Sequence, residues 1–262
     1  MNITKIRRIP KRIKDDLFVI SLVANWSEIL VSKLKGSNFN KIFFRNGLTL
    51  EAPEQIRLDM LFHEVWVEKM YSPQGFEIKD NNIIFDIGAN IGVFSVYAAK
   101  KAKNVKVFAF EPFPDNVKWL QKNIKNNKLN NVVVSDKAVA GKSEQRTLEV
   151  SDAWVRHSLN ENNKNNGIKI NTLSLDEIFE EIEVCDLMKI DCEGSEYEIF
   201  YSSSKKTLAK IKKIVGEYHD NDNEKMNGSA LCDFLTQNGF AIISIKSFGD
   251  STGSFCAINK AG

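Results

Sequence analysis

Disulfide stapling and structural zinc are the first possibilities removed by what this sequence lacks. Its four cysteines, Cys185, Cys192, Cys232 and Cys256, form no Cys-x-x-Cys pair and no zinc-ligand spacing. They read as buried or incidental thiols in a reducing compartment. No stretch of 18 apolar residues occurs, and the start lacks an apolar segment followed by a small-residue cleavage site. The expectation is a soluble, cytoplasmic protein. Charge of one sign is missing too: 36 Lys and Arg face 34 Asp and Glu, a net of +2, so nucleic acid is not expected as a partner. What remains, 262 residues at 43% hydrophobic, can bury one sizeable core with an appendage.

A dinucleotide fingerprint is also incomplete, and the gap is informative. Asp86-Ile87-Gly88-Ala89-Asn90-Ile91-Gly92 follows the apolar run Ile83-Ile84-Phe85. This is the pattern of a strand, a loop and a helix, where backbone can approach a ligand because glycine has no Cβ. Glu111, 25 residues after Asp86, closes the next strand at Phe108-Ala109-Phe110-Glu111-Pro112, a place from which an acid accepts hydrogen bonds from ribose hydroxyls. A nucleoside cofactor is implied. GxGxxG laid on Gly88 would need glycines at 90 and 93, where Asn90 and Val93 stand. Asp86 would also set a carboxylate beside a pyrophosphate, whereas it suits an amino-acid ammonium. S-adenosylmethionine carries an adenosine, an ammonium and a sulfonium and no phosphate, so it fits better than NAD.

The flanking regions read more simply. Six cations, Lys5, Arg7, Arg8, Lys11, Arg12 and Lys14, precede an apolar segment from Leu17 through Trp26, Ile29 and Leu30 to Leu34, spaced for an amphipathic helix. Such an arm is compatible with peripheral contact to an anionic membrane; its commoner use is packing on its own domain or on a partner subunit, as in a homo-oligomer. KIFFRNGLTLEA at 41–52 predicts a hairpin turning at Asn46-Gly47, and Ile56 to Tyr71 a helix. Residues 1–80 therefore form a basic arm, helix and hairpin cap, and 81–262 a cofactor-binding domain.

Strands near 83–87, 105–110, 131–134, 184–190, 212–218, 240–246 and 254–259 alternate with helices near 91–102, 114–127, 174–181, 195–209 and 228–238. That rhythm predicts an α/β, doubly wound, mostly parallel seven-stranded sheet whose last two strands pair antiparallel. The low-complexity stretch NENNKNNG at 160–167 follows Trp154, Arg156 and His157. It reads as a solvated surface loop, the alternative being a mobile lid facing an acceptor.

A second constellation is Asp191-Cys192-Glu193-Gly194-Ser195-Glu196, at the end of the fourth strand. If strands one and four are neighbours, Asp191 and Glu193 lie beside the cofactor loop. Val215-Gly216-Glu217-Tyr218-His219 ends the following strand, with Glu217 and His219 on one face. A histidine titrating near neutrality is a natural general base; the plainer reading of the acids is helix capping.

Together, DIGANIGVFS at 86–95, FEPFPDN at 110–116, LSLDEI at 173–178, KIDCEGSE at 189–196 and VGEYH at 215–219 resemble the FkbM family of S-adenosylmethionine-dependent methyltransferases. The likeness runs from about Glu64 to about His219, with the motifs in family order. It implies a class I methyltransferase (Rossmann-like) fold and O-methylation of a sugar, glycolipid or related small molecule. By position it implies that Asp86, Gly88, Asn90 and Gly92 hold the methionine end, Glu111 with Pro112 the ribose, and Asp136 and Ala138 the adenine. Asp191, Glu193, Glu217 and His219 would line the transfer site, and Glu64 and Tyr71, which match an acid and a tyrosine that precede the first motif, would belong to the cofactor site.

The expected chemistry is in-line displacement, with His219 as first choice of base and Glu193 second. A variant has Asp191, Glu193 and Glu217 holding Mg2+. The rivals are methylation of RNA or protein, and a catalytically idle scaffold attached through the arm to a membrane or partner.

Overall fold

The structure, a computed structural model, describes residues 10–150, 157–158, 167–221, 223–249 and 251–261. The chain divides into two units, Met1–Lys69 and Met70–Gly262.

In the first unit, helices α1 (Lys11–Leu22) and α2 (Trp26–Lys35) precede strands β1 (Lys41–Phe43) and β2 (Thr49–Glu51) and helix α3 (Leu58–Phe62). The hairpin turns as expected: Gly47 takes φ +87°, Ile42 lies opposite Leu50, and both are fully buried. The apolar segment expected as one helix is two. Ala24 N–H donates to Phe43 O at 2.7 Å, and Asn25 exchanges side-chain hydrogen bonds with Phe43 and Lys41. Those hairpin bonds take the backbone groups that a continuous helix would need. The helix expected to Tyr71 also changes pitch, from α3 into a π-helical turn at His63–Val67. Phe62 and Trp66 there pack around Phe44.

The second unit opens with β3 (Ile83–Ile87), α4 (Val93–Lys101), β4 (Lys106–Phe110), α5 (Pro114–Asn126) and β5 (Val132–Ser135). Short strands follow: β6 (Ala138–Ala140), β7 (Gln145–Val150), β8 (His157–Ser158) and β9 (Gly167–Ser174). The chain then forms α6 (Leu175–Glu181), β10 (Leu187–Ile190), α7 (Glu196–Ser202), α8 (Lys205–Leu208), β11 (Lys213–His219), α9 (Gly228–Gln237), β12 (Phe240–Ser247) and β13 (Thr252–Asn259).

Seven strands make the main sheet, in the order β12-β13-β11-β10-β3-β4-β5. The five from β11 to β5 run parallel, and β13 and β12 close the sheet antiparallel. This is the predicted doubly wound α/β sheet. β3 is buried from Ile84 to Ile87 and β10 throughout, as central parallel strands covered on both faces must be. Phe85, Phe110, Phe179, Met188, Tyr197 and Phe200 fill the core beside them. Truncating such a phenylalanine costs about 3–5 kcal/mol.

The insertion between β5 and β10 folds into a second sheet, ordered β6-β9-β7-β8, which the sequence reading left without structure. Trp154 and Arg156 lie outside the described residues.

Candidate active site

Winding runs outward from β3 to β4 and β5, then returns to β10 on its other side, so the ends of β3 and β10 mark the switch point where ligands bind in such sheets. The loop leaving β3 passes very close to β10. Gly88 has φ +74°, and a Cβ there would sit 1.8 Å from the Asp191 carbonyl oxygen. The N–H groups of Gly88 and Ala89 both donate to Phe110 O, at 3.0 and 2.9 Å, tying the loop to β4. Asn90, with φ +52°, donates its N–H to Glu111 Oε2 at 2.7 Å and accepts from Ile91 N–H on its own Oδ1. Gly92 begins α4 from the left-handed region.

Glu111 is buried at the end of β4. Its Oε1 accepts from Phe113 N–H at 3.0 Å and Asn116 Nδ2 at 3.3 Å. Burial pushes its carboxyl above the ordinary range, against the pull of those N–H groups. Asn116 Oδ1 is buried and has no hydrogen-bond partner among the described residues. An orphaned acceptor beside a carboxylate with lone-pair capacity left is a donor-seeking pair, and a ribose diol supplies two donors. The residues present therefore fit the nucleoside end of the expected cofactor.

Pro112 and Asp136 line a cavity of about 260 Å³ with Pro114, Val117 and Ile170. Asp136 is exposed at its rim, whereas Ala138 is buried in a small apolar cluster with Phe113 and Leu148. Glu64 lies in the first unit, in the π-helical turn.

Asp86 takes a different part from the one expected of it. It is fully buried; its Oδ2 accepts from Ser95 Oγ at 2.5 Å, and its Oδ1 lies 3.3 Å from Lys189 Nζ, in ion-pair range without a hydrogen bond. Lys189, also buried, donates to Gly88 O at 2.5 Å and Ile87 O at 3.3 Å. Burial works against its charge, but Asp86 and Asp191 outweigh that and raise its pKa. Asp86 thus anchors the loop from beneath, and its charge is answered by Lys189. Sequence reading had missed this lysine, although a cation at the centre of an apolar strand is itself a signal that it has a buried partner.

At the ends of β10 and β11 the other predicted residues come together. Tyr71 Oη lies 2.7 Å from Glu217 Oε1 and 3.1 Å from Asp191 Oδ2. His219 is held between two acids, with Nδ1 3.2 Å from Glu196 Oε1 and Nε2 3.5 Å from Glu193 Oε2. Glu193 itself sits at φ +54°. Fully buried Glu196 also accepts from the N–H groups of Cys192 and Gly194, both at 2.9 Å, so it braces the loop ahead of α7, whose N-cap Ser195 makes no side-chain cap hydrogen bond.

Burial disfavours a charged imidazole here, but Glu196 and then Asp191 and Glu193 overcome it and raise the His219 pKa to about 9. The expectation of a histidine titrating near neutrality is therefore corrected. At pH 7 it is an imidazolium and holds no free lone pair for a proton. The acids named for Mg2+ are also arranged otherwise. A tyrosine hydroxyl stands between Asp191 and Glu217, and Glu193 meets the histidine. The donors within 4.8 Å of one another, among the described residues, are those of Asp191, Glu196 and His219.

A seven-stranded sheet of this order, with a glycine loop at the switch point and a buried acid closing the next strand, defines a class I methyltransferase-like protein. The methyltransferase FkbM domain matches residues 86–242, and the chain belongs to that family of S-adenosylmethionine-dependent methyltransferases. It is 25% identical over 231 residues to the 31-O-demethyl-FK506 methyltransferase FkbM of Streptomyces tacrolimicus, covering 76% of this chain and 88% of that protein. The AMB antimetabolite synthetase AmbE of Pseudomonas aeruginosa is 26% identical over 238 residues, covering 75% of this chain. The match spans only 11% of AmbE's length. The hexuronic acid methyltransferase AglP of Haloferax volcanii is 27% identical over 145 residues, covering 55% of this chain and 58% of AglP.

Proposed function

We propose that this protein methylates a hydroxyl group on a sugar, glycolipid or related small molecule. The observation that carries the reading is the cluster of Tyr71, Asp191, Glu193, Glu217 and His219 at the ends of β10 and β11, against the loop that begins at Gly88. Two relatives support an oxygen acceptor of this kind, one named for 31-O-demethyl-FK506 and the other for hexuronic acid.

S-adenosylmethionine, when bound, supplies a methyl group already activated on a sulfonium. The protein's task is then chiefly orientation, which is worth several kcal/mol up to about 10. Glu111 and Asn116 receive the ribose, and the Gly88–Gly92 backbone shapes the methionine end. Asp191, which Tyr71 holds at 3.1 Å beside the Gly88 loop, would take the proton that the acceptor hydroxyl gives up. A carboxylate suits this work because proton transfer is completed only as the new bond forms. Tyr71 steadies Asp191 and links it to Glu217. His219, as a cation, pairs with Glu193 and Glu196 and holds them in place.

Titration calorimetry with S-adenosylhomocysteine, with Glu111→Ala alongside, tests the cofactor site. Micromolar binding that the variant loses is expected. A labelled-methyl assay over hydroxylated glycans and small polyols then tests the acceptor class. A well-folded wild type that binds no S-adenosylhomocysteine overturns the reading; binding with methyl transfer only to RNA or protein overturns its acceptor.

A further inference from the structure

We infer that α1 and α2 of the first unit form a docking surface for an anionic lipid bilayer. Helix α1 has twelve residues and buries none of them, although Ile13, Leu17 and Phe18 are large and apolar. Leu17 is 54% exposed. Helix α2 adds Leu30, Val31 and Leu34, the last 79% exposed. Twelve large apolar side chains are exposed among the described residues, and these two helices carry six. Scattered single apolar residues need no explanation, whereas grouping of this kind marks an interaction surface.

Charge identifies what would cover it. At 3.6 residues per turn, Ile13, Leu17, Ser21, Lys14, Phe18 and Lys11 of α1 fall within an arc of about 160° that contains no acid. Asp15 and Asp16 lie outside that arc. On α2 the same construction groups Leu30, Leu34, Val31 and Lys35. Lys11 reaches Glu68 at 3.7 Å but stays 79% exposed. The sequence of residues 1–9 adds Lys5, Arg7 and Arg8 and no acid. Residues 1–35 thus hold eight cations against Asp15, Asp16 and Glu28, a net +5; the whole chain is +2, which leaves residues 36–262 at −3.

Apolar side chains interleaved with lysines suit a bilayer interface, where the former enter the acyl boundary and the latter meet anionic headgroups. A nucleic-acid backbone would answer the cations but leave Leu17 and Leu34 in water. A second copy of this chain would bring +5 against +5.

The test is co-sedimentation of the full chain with vesicles of equal parts phosphatidylcholine and phosphatidylglycerol, and with phosphatidylcholine alone. Wild type is expected to partition onto the anionic vesicles, to be released by salt and to leave the neutral ones unbound. L17D/L34D and, separately, K11E/K14E are expected to lower that partition by about tenfold or more. Both variants should keep the wild-type melting curve and S-adenosylhomocysteine binding, since every substituted side chain is exposed. A folded wild type that ignores anionic vesicles overturns the proposal, as does equal binding to both vesicle types. A lipid-indifferent dimer that L17D/L34D dissociates overturns it in favour of a second copy.

Discussion

Tyr71 Oη lies within hydrogen-bond distance of two carboxylates at once, Glu217 at 2.7 Å and Asp191 at 3.1 Å. A phenol has one proton to give, so it serves the two acids alternately and holds them in register. Tyr71→Phe removes that tie and leaves the ring against Phe94. Turnover should fall about 10 to 10² fold, by the usual scale of positioned proton-transfer groups. S-adenosylhomocysteine affinity and melting temperature should stay close to wild type. A parallel loss of cofactor binding would return Tyr71 to the cofactor-contact part that the family resemblance first implied.

His219 makes the protein's stability depend on pH in a definite direction. Its folded pKa, about 9, stands above the ordinary value of 6.5 because Glu196 and Glu193 favour the cation. Protonation therefore stabilises the fold, the contribution is complete below about pH 6.5, and it is lost as pH rises through 9. The shift sets an upper bound of roughly 3 kcal/mol. Chemical denaturation at pH 6.5, 8 and 9.5 should show wild type losing stability across that window, and His219→Gln should flatten the trend. Equal slopes in the two proteins would remove His219 as the source.

What could be read from sequence follows the distance along the chain over which each feature is determined. The loop at Gly88 and the acid Glu111 were legible because strand, turn glycine and following strand are close together in the chain. That β3 and β10 are neighbours stood in the sequence only as a condition, and the winding of the sheet meets it. The small sheet was not, because its strands β6 to β9 are short, a low-complexity stretch lies between β8 and β9, and among the described residues these strands take one another as sheet partners. The roles of Asp86 and His219 were missed for one reason. Each is decided by a buried partner from a distant segment, Lys189 for the first and Glu196 for the second, and burial changes which charge state is favoured.

Gly88→Ala should separate close approach from mere flexibility. The added methyl group meets the Asp191 carbonyl oxygen at 1.8 Å, and the left-handed φ is strained for alanine. Backbone on both sides is tied, Gly88 to Phe110 O and Asp191 to Ile87 O, so the loop must shift as a piece. S-adenosylhomocysteine binding should drop at least tenfold, with a lowered melting temperature. Gly75→Ala is the control, with φ +90° and open space around its Cβ; it should show the conformational cost alone and keep binding. Equal effects in the two variants would show that space at Gly88 is not what matters.

The buried pair beneath the loop gives the sharpest energetic test. Lys189→Met leaves a fully buried Asp86 with Ser95 as its one side-chain donor among the described residues, and also strips the donor from Gly88 O. Breaking a buried ion pair from one side costs about 3–5 kcal/mol, most of it the isolated charge. Asp86→Asn removes that charge while keeping the shape, so the double variant should recover part of the loss. A double-mutant cycle by urea denaturation should therefore give a coupling above about 1 kcal/mol. The recovered stability should not restore cofactor binding, because no side chain then holds the Gly88 carbonyl. Additive losses, with no coupling, would mean that the two charges are each solvated independently and that Lys189 acts only through the loop carbonyls.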